Sequence, residues 1–295
     1  MREGCGICVP TRVGTACAQT GVSQKGMKAI TIGYHDVLED TTRVAAGDPR
    51  PQTLVYALSK SDFAKHLWAV RYHACEPGPT TVRRFQRWDS GMVPVFLTFD
   101  DGAVGAYTSI AGQLETHHWR GHFFVTTDWI GRPGFLDATQ ILELHHRGHV
   151  IGSHSCSHPE RMSSLTWDEL IREWSVSCAR LADILGEPVK VASVPNGYYS
   201  PAVGRAAAAV GIEVLFTSEP TTAVSVVEGC LVLGRYAVRR QTPPNVSGEL
   251  AAGRAWPRWR QTMLWQGKKA VKTLSGESYL RIRRFLLALG DQRPS

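Results

Sequence analysis

No run of eighteen apolar residues occurs in this 295-residue chain, so no membrane-spanning helix is expected from it. The first 26 residues also lack the apolar core that an export signal requires. Seven cysteines, an odd number scattered without a framework, argue against a disulfide-stapled fold and favour a reduced, cytoplasmic setting. Cys5-Gly6-Ile7-Cys8 has the C-x-x-C form of redox and metal motifs, but no strand precedes it and no second pair follows. Residues 1–26 are therefore expected to be a disordered leader, or a start placed upstream of Met27. No helix-turn-helix, zinc-finger or RNA-recognition signature is present, which ranks nucleic acid last among partners.

What the chain does have is chemistry at two strand ends. Val93-Pro94-Val95-Phe96-Leu97-Thr98-Phe99 reads as a short buried strand, and Asp100-Asp101-Gly102 follows where strand becomes loop. About fifty positions later, the apolar Val150-Ile151-Gly152-Ser153 runs into His154-Ser155-Cys156-Ser157-His158, with Pro159 ending the segment. Adjacent residues on extended backbone point to opposite sides, so one aspartate is free to bind a metal while the other reaches the water that the metal activates. Two imidazoles and one carboxylate leave a coordination position open, as metal-assisted hydrolysis needs. Each motif alone has an ordinary reading: Asp-Asp-Gly is a common turn, and histidine pairs four apart occur on plain surfaces. It is their joint occurrence at strand ends that points to a site.

Together the motifs resemble those of the polysaccharide deacetylases, a carbohydrate esterase group that removes acetyl groups from N-acetylated sugars. Thr98 to Gly102 looks like the first motif of that family and His154 to His158 the second. Gly121-His122-Phe123-Phe124-Val125 is similar to its second-strand signature, and Ser193-Val194-Pro195-Asn196-Gly197 occupies the place of its third motif. The resemblance implies Asp100 as general base. It implies Asp101, His154 and His158 as ligands of a divalent metal, zinc ahead of cobalt, nickel, manganese or iron. It also implies a substrate that is an N-acetylated carbohydrate; the basic, tryptophan-containing C-terminal segment adds a lipid-linked glycan to the polymeric option.

Three departures from the family pattern matter. Ser193 stands where an arginine usually orients the base aspartate, so that contact must come from elsewhere. The usual late aspartate is absent, since only Asp291 follows Gly197, and Glu219 is the nearest carboxylate substitute. All eleven histidines lie at or before His158, which removes the late histidine that serves many members as general acid. The start of the domain offers a replacement. Ala29-Ile30-Thr31-Ile32-Gly33-Tyr34 alternates like a strand and runs into His35-Asp36; in a closed barrel the first and last strands are neighbours, so His35 is the candidate acid. Some deacetylases resemble this chain in carrying such a Tyr-His-Asp near the start; a histidine that merely caps the strand is the alternative. The backbone N–H of Asn196, after Pro195, is the candidate oxyanion donor, with Glu219 assigned to the same substrate-binding set.

The length suits one large domain. Strands ending near Tyr34, Phe99, Val125, Ser153, Val194, Thr217 and Val238 alternate with helical patterns, predicting an α/β fold: a distorted (β/α) barrel of about seven strands over residues 27–240. Thr166-Trp167-Asp168-Glu169 has capping-box spacing and starts a helix whose stripe is Leu170, Trp174, Leu181 and Leu185, up to Gly186. An earlier helix after Ser61 places Phe63, Leu67 and Val70 on one face, and the stretch from Leu38 to Thr53 reads as a loop able to lie over the site.

Residues 241–295 read as a basic, tryptophan-containing helical extension. From Arg235 onward there are thirteen Lys and Arg against Glu249, Glu277 and Asp291; the whole chain carries +7, so the rest is slightly acidic. Trp256, Trp259 and Trp265 lie among these cations. The pattern predicts either a solvated basic face or peripheral contact with an anionic membrane through 256–289, at its inner face. Two function classes follow: a metal-dependent sugar deacetylase, or a glycan-binding protein that has lost catalysis on the same scaffold.

Overall fold

The computed structural model describes residues 26–39, 53–73, 78–83 and 93–267. In chain order the elements are β1 (Ile30–Tyr34), β2 (Val37–Leu38), α1 (Thr53–Tyr56), β3 (Leu58–Ser59), α2 (Lys60–His73), β4 (Val95–Phe99), α3 (Ala111–Thr116), β5 (His122–Val125) and α4 (Ala138–His146). They continue with β6 (Val150–Ser153), α5 (Trp167–Leu185), β7 (Val191–Ser193), α6 (Pro201–Ala209), β8 (Val214–Phe216), β9 (Val224–Val227), β10 (Cys230–Leu233), β11 (Tyr236–Ala237) and α7 (Pro244–Ala251). A further helix, α8, covers residues 255–267.

Strands β1, β4, β5, β6, β7 and β8 run parallel in that spatial order. Every residue of β1, β4, β5 and β6 is buried, as expected for parallel strands covered on both faces. One broken strand closes the sheet into a barrel. β10 pairs parallel with β8, Leu231 opposite Val214, and two residues later β11 pairs parallel with β1, Tyr236 opposite Ile32. β10 and β11 thus act as a single seventh strand interrupted at Gly234-Arg235. Glycine is required at the break, because a Cβ on Gly234 would collide with the Glu219 carbonyl. β9 turns back antiparallel on β10, and Val224 N–H donates to the Met27 carbonyl just ahead of β1.

The α/β barrel expected from the alternation of strands and helices is the fold, and the seven expected strand ends coincide with ends in the barrel. Alternation sorts the side chains. Val95, Leu97 and Phe99 of β4 join the outer core against the helices, whereas Phe96 joins Phe124 and Phe216 in a separate cluster inside the barrel. These three rings, with centroids 5.4 to 6.2 Å apart, fill the barrel floor. Helix α5 starts at the expected capping box, with Thr166 Oγ1 and Glu169 exchanging bonds, and stops at Gly186, whose φ of 71° glycine adopts without a Cβ penalty. Helix α2 starts before Ser61, at Lys60, because Ser59 Oγ accepts from the Asp62 N–H. Of the expected loop from Leu38 to Thr53, Leu38 belongs to β2 and Thr53 to α1, while 40–52 lie outside the described residues, as do 1–25 and 268–295.

Candidate active site

Asp100 and Asp101 follow β4 directly, and the means by which their carboxylates diverge differs from strand alternation. Asp101 has φ 74°, in the left-handed region, so the chain turns sharply between the two residues. Ser155, His158 and Asn196 also have positive φ, and only His118 and Glu228 share this among the other described non-glycine residues. Such conformations cost of order 1 kcal/mol or more each and persist where surrounding structure over-determines them. Four of the six cluster here.

His154 and His158 each place Nε2 3.4 Å from Asp101 Oδ1, and the three ligand atoms all lie within 4.8 Å of one another. Two donors bonded tetrahedrally to one ion at about 2.1 Å would stand about 3.4 Å apart, so the donor set fits a zinc-like divalent ion in both chemistry and spacing. The histidines are aimed by their other contacts. His154 Nδ1 lies 2.6 Å from Ser193 Oγ and 3.1 Å from the Ser193 carbonyl; donating there frees Nε2 for a metal. The His158 ring stacks on Trp129 at 4.9 Å. Its loop is pinned by Glu173 of α5, whose carboxylate accepts from the N–H groups of Cys156 and Ser157 and from Ser157 Oγ.

Asp100 is held by a residue that motif reading missed. Arg235, at the break in the seventh strand, is 4 % exposed; its Nη1 donates to Asp100 Oδ1 at 2.7 Å and its Nε to the Thr217 carbonyl at 2.8 Å. Ser193 Oγ donates to the same carboxylate oxygen at 3.0 Å. A cation that position 193 does not supply therefore reaches Asp100 from the broken seventh strand, and Ser193 links Asp100 to His154. Burial alone would push the Asp100 carboxyl up, but Arg235, His154 and His35 outweigh it and hold the group below its usual range. Burial likewise opposes ionisation of Asp101, yet the hydrogen bonds from His154 and His158 hold it well below that range. The available signal for Arg235 was a lone charge inside the apolar run Leu231–Val238, which had been counted with the basic tail.

His35 lies at the end of β1, half-buried and stacked on Tyr56 at 4.3 Å. Its Nδ1 has no hydrogen-bond partner among the described residues. Burial lowers its pKa, opposed by the charges of Asp101 and Asp100; the Asp100 N–H donates to the carbonyl of Tyr34, the residue before His35, so His35 lies at the same end of the barrel as the two aspartates. Pro195 and Asn196 form a tight turn directly after β7, two residues beyond Ser193, with Asn196 in the left-handed region. Glu219 is not one of the three clustered donors. Its carbonyl accepts from Arg235 N–H, and it lines a groove of about 450 Å³ under α8 with Thr221, Tyr236 and Trp259.

Comparison with known proteins bears on the family and the fold. Residues 90–215 match the family model described as polysaccharide deacetylase. YxkH of Bacillus subtilis, which bears a provisional polysaccharide deacetylase name, is 28 % identical over 193 residues, covering 64 % of this chain and 67 % of its own. The peptidoglycan-N-acetylmuramic acid deacetylase PdaA of the same organism is 28 % identical over 127 residues, covering 42 % of this chain. That match spans 46 % of PdaA, less than half of its length. The solved Streptococcus pyogenes deacetylase PplD, in complex with acetate, superposes with a TM-score of 0.60 at 19 % identity, over 75 % of this chain and 96 % of that one.

Proposed function

We propose that this chain, whose residues 90–215 match the polysaccharide deacetylase family, is a member of it and a metal-dependent hydrolase removing acetyl groups from an N-acetylated sugar. The observation that carries the reading is the pairing of two sites: a three-donor cluster spaced for a divalent ion, and beside it a carboxylate pinned by Arg235 and Ser193. When bound by Asp101, His154 and His158, a divalent ion, zinc foremost, polarises an acyl oxygen and makes water a nucleophile near neutral pH.

The remaining chemistry belongs to the chain. Asp100, kept ionised by Arg235, accepts the proton of the attacking water. The Asn196 N–H donates to the oxygen that gains negative charge as the carbonyl is attacked. The leaving amine needs a proton, and His35, at the end of β1 and coupled to both aspartates, is the group we assign to deliver it. The substrate is a glycan, polymeric or carried on a lipid. We place the protein in the cytoplasm, at the inner face of the membrane; Cys156, Cys178 and Cys230 are all unpaired, which suits that setting.

The test is Asp100→Asn. Acetate release from a panel of free, polymeric and lipid-linked N-acetyl sugars should fall by about two to four orders of magnitude, while bound metal stays stoichiometric. Loss of metal in that variant would mean that the roles of Asp100 and Asp101 are misassigned. A wild-type protein that binds metal and glycan but releases no acetate from any member of the panel would instead be the glycan-binding scaffold.

A further inference from the structure

Helix α8 is mounted on the barrel largely inside out. Residues 257, 258, 261, 262 and 265 face the barrel at helical spacing, and the side is fastened by polar groups: Thr262 Oγ1 donates to the Pro220 carbonyl at 2.9 Å and Gln261 Nε2 to the Ala237 carbonyl at 3.3 Å. The other side carries Trp256, Met263 and Leu264, with Trp259 at its edge, where it also borders the groove against the barrel; all four are 53 to 66 % exposed, and the two tryptophans stack at 5.3 Å. A helix that served only the core would turn its apolar stripe inward. Contiguous exposed apolar side chains of this kind mark a contact surface, where single ones would not.

Charge decides what covers that face. No Asp or Glu occurs between Glu249 and Glu277; Arg260 is exposed on the same side of α8 as the apolar residues, Arg254 is exposed just ahead of the helix, and residues 268–295 carry seven Lys and Arg against Glu277 and Asp291. The chain's own C-terminal segment would bring like charge onto the helix. A second copy packed by two-fold symmetry would do the same, since each copy presents the same patch to the other. An anionic bilayer satisfies both features, with tryptophans at the headgroup level and cations against lipid phosphates.

We propose that the outward face of α8 is a docking surface for an anionic lipid bilayer, entered by Trp256, Trp259, Met263 and Leu264. The surface stands on geometry apart from the catalytic assignment, so either reading can fail alone. Sedimentation of the full-length chain is compared on vesicles of phosphatidylcholine with phosphatidylglycerol and on vesicles of phosphatidylcholine alone. The protein should pellet with the anionic vesicles, less so as salt screens charges over about 8 Å, with a residue that salt does not remove. Trp256→Ser/Met263→Ser/Leu264→Ser, which spares the groove-lining Trp259, should lower the partition constant by about tenfold or more while the circular dichroism spectrum and acetate release stay unchanged. Arg254→Glu/Arg260→Glu provides a second variant that spares the apolar groups and should also weaken binding. Equal binding by the wild type and the serine variant, or no binding to either vesicle, overturns the proposal. So does concentration-dependent dimerisation that the serine variant abolishes, since a second copy would then be the occupant.

Discussion

Arg235 has two jobs that a single substitution separates. It neutralises Asp100 inside the barrel, where both side chains are nearly inaccessible at 4 and 6 %, and it fixes the carboxylate through one arm while the other grips the Thr217 carbonyl. Removing one member of a buried ion pair leaves an uncompensated charge and costs about 3–5 kcal/mol, so Arg235→Met should lower the melting temperature markedly. Below that temperature its kcat should fall by about a hundredfold, the scale on which a displaced catalytic group costs rate, with little change in KM. The direction of the pH effect is fixed by sign. Without the cation the Asp100 carboxyl titrates higher, so the acid limb of the kcat/KM profile should move to higher pH. Arg235→Lys keeps the charge but not the fork, and should restore the position of that limb more than the rate. An unchanged profile in Arg235→Met would mean that Ser193 alone sets the base.

At the scale of elements, the site depends on loops that end strands and are tied back to helices. Glu173 on α5 collects three hydrogen bonds from residues 156 and 157 and thereby holds His158 in its left-handed conformation. Glu173→Gln should therefore reduce metal affinity by about tenfold or more, the usual effect of losing an outer contact, and competition with a chromogenic chelator reads this directly. An affinity equal to wild type would show that Trp129 stacking and the Ser155 Oγ, which accepts from the His158 N–H at 3.0 Å, suffice. The same elements explain what the sequence revealed. Strand ends, the capping box at Thr166 and the paired motifs are patterns written in neighbouring residues, so β4, β6, α5 and the Asp101, His154, His158 set were legible. Arg235 was not, because its meaning depends on a barrel closure that joins residue 235 to residue 100. The inverted mounting of α8 was hidden for the same reason: periodicity shows a stripe, and only packing shows which way it faces.

For the whole molecule, three neutral histidines buried in different places make the fold sensitive to acid. Burial is the main cause in each, lowering His66, His122 and His149 to about 4. Two of the three also accept a backbone N–H at a ring nitrogen, which resists protonation, while Glu115, 3.0 Å from His149 Nε2, acts in the other direction. His122 Nε2 accepts from the Val82 N–H and His149 Nδ1 from the Gly121 N–H, so a proton on either nitrogen would face a backbone donor. His66 Nδ1 lies 2.7 Å from Ser247 Oγ, a hydroxyl to which Tyr34 also donates, and so ties α2 to α7. In the unfolded chain histidines titrate near 6.5. Between that value and about 4 the unfolded state binds more protons than the native one, so unfolding free energy falls as pH falls. The stability is fully present above about 6.5, and each group removes up to about 1.4 kcal/mol per pH unit below it. Three such groups together approach about 4 kcal/mol per unit, against a total of about 5–15 kcal/mol for a typical domain. The expected outcome is cooperative unfolding between pH 6 and 4 in urea or thermal titrations. His122→Asn should lower stability at pH 7 yet flatten the dependence below pH 6.5, because one titrating group is gone. A slope that His122→Asn leaves unchanged would mean that the acid transition is driven by other groups, with the carboxylates of the site first among them.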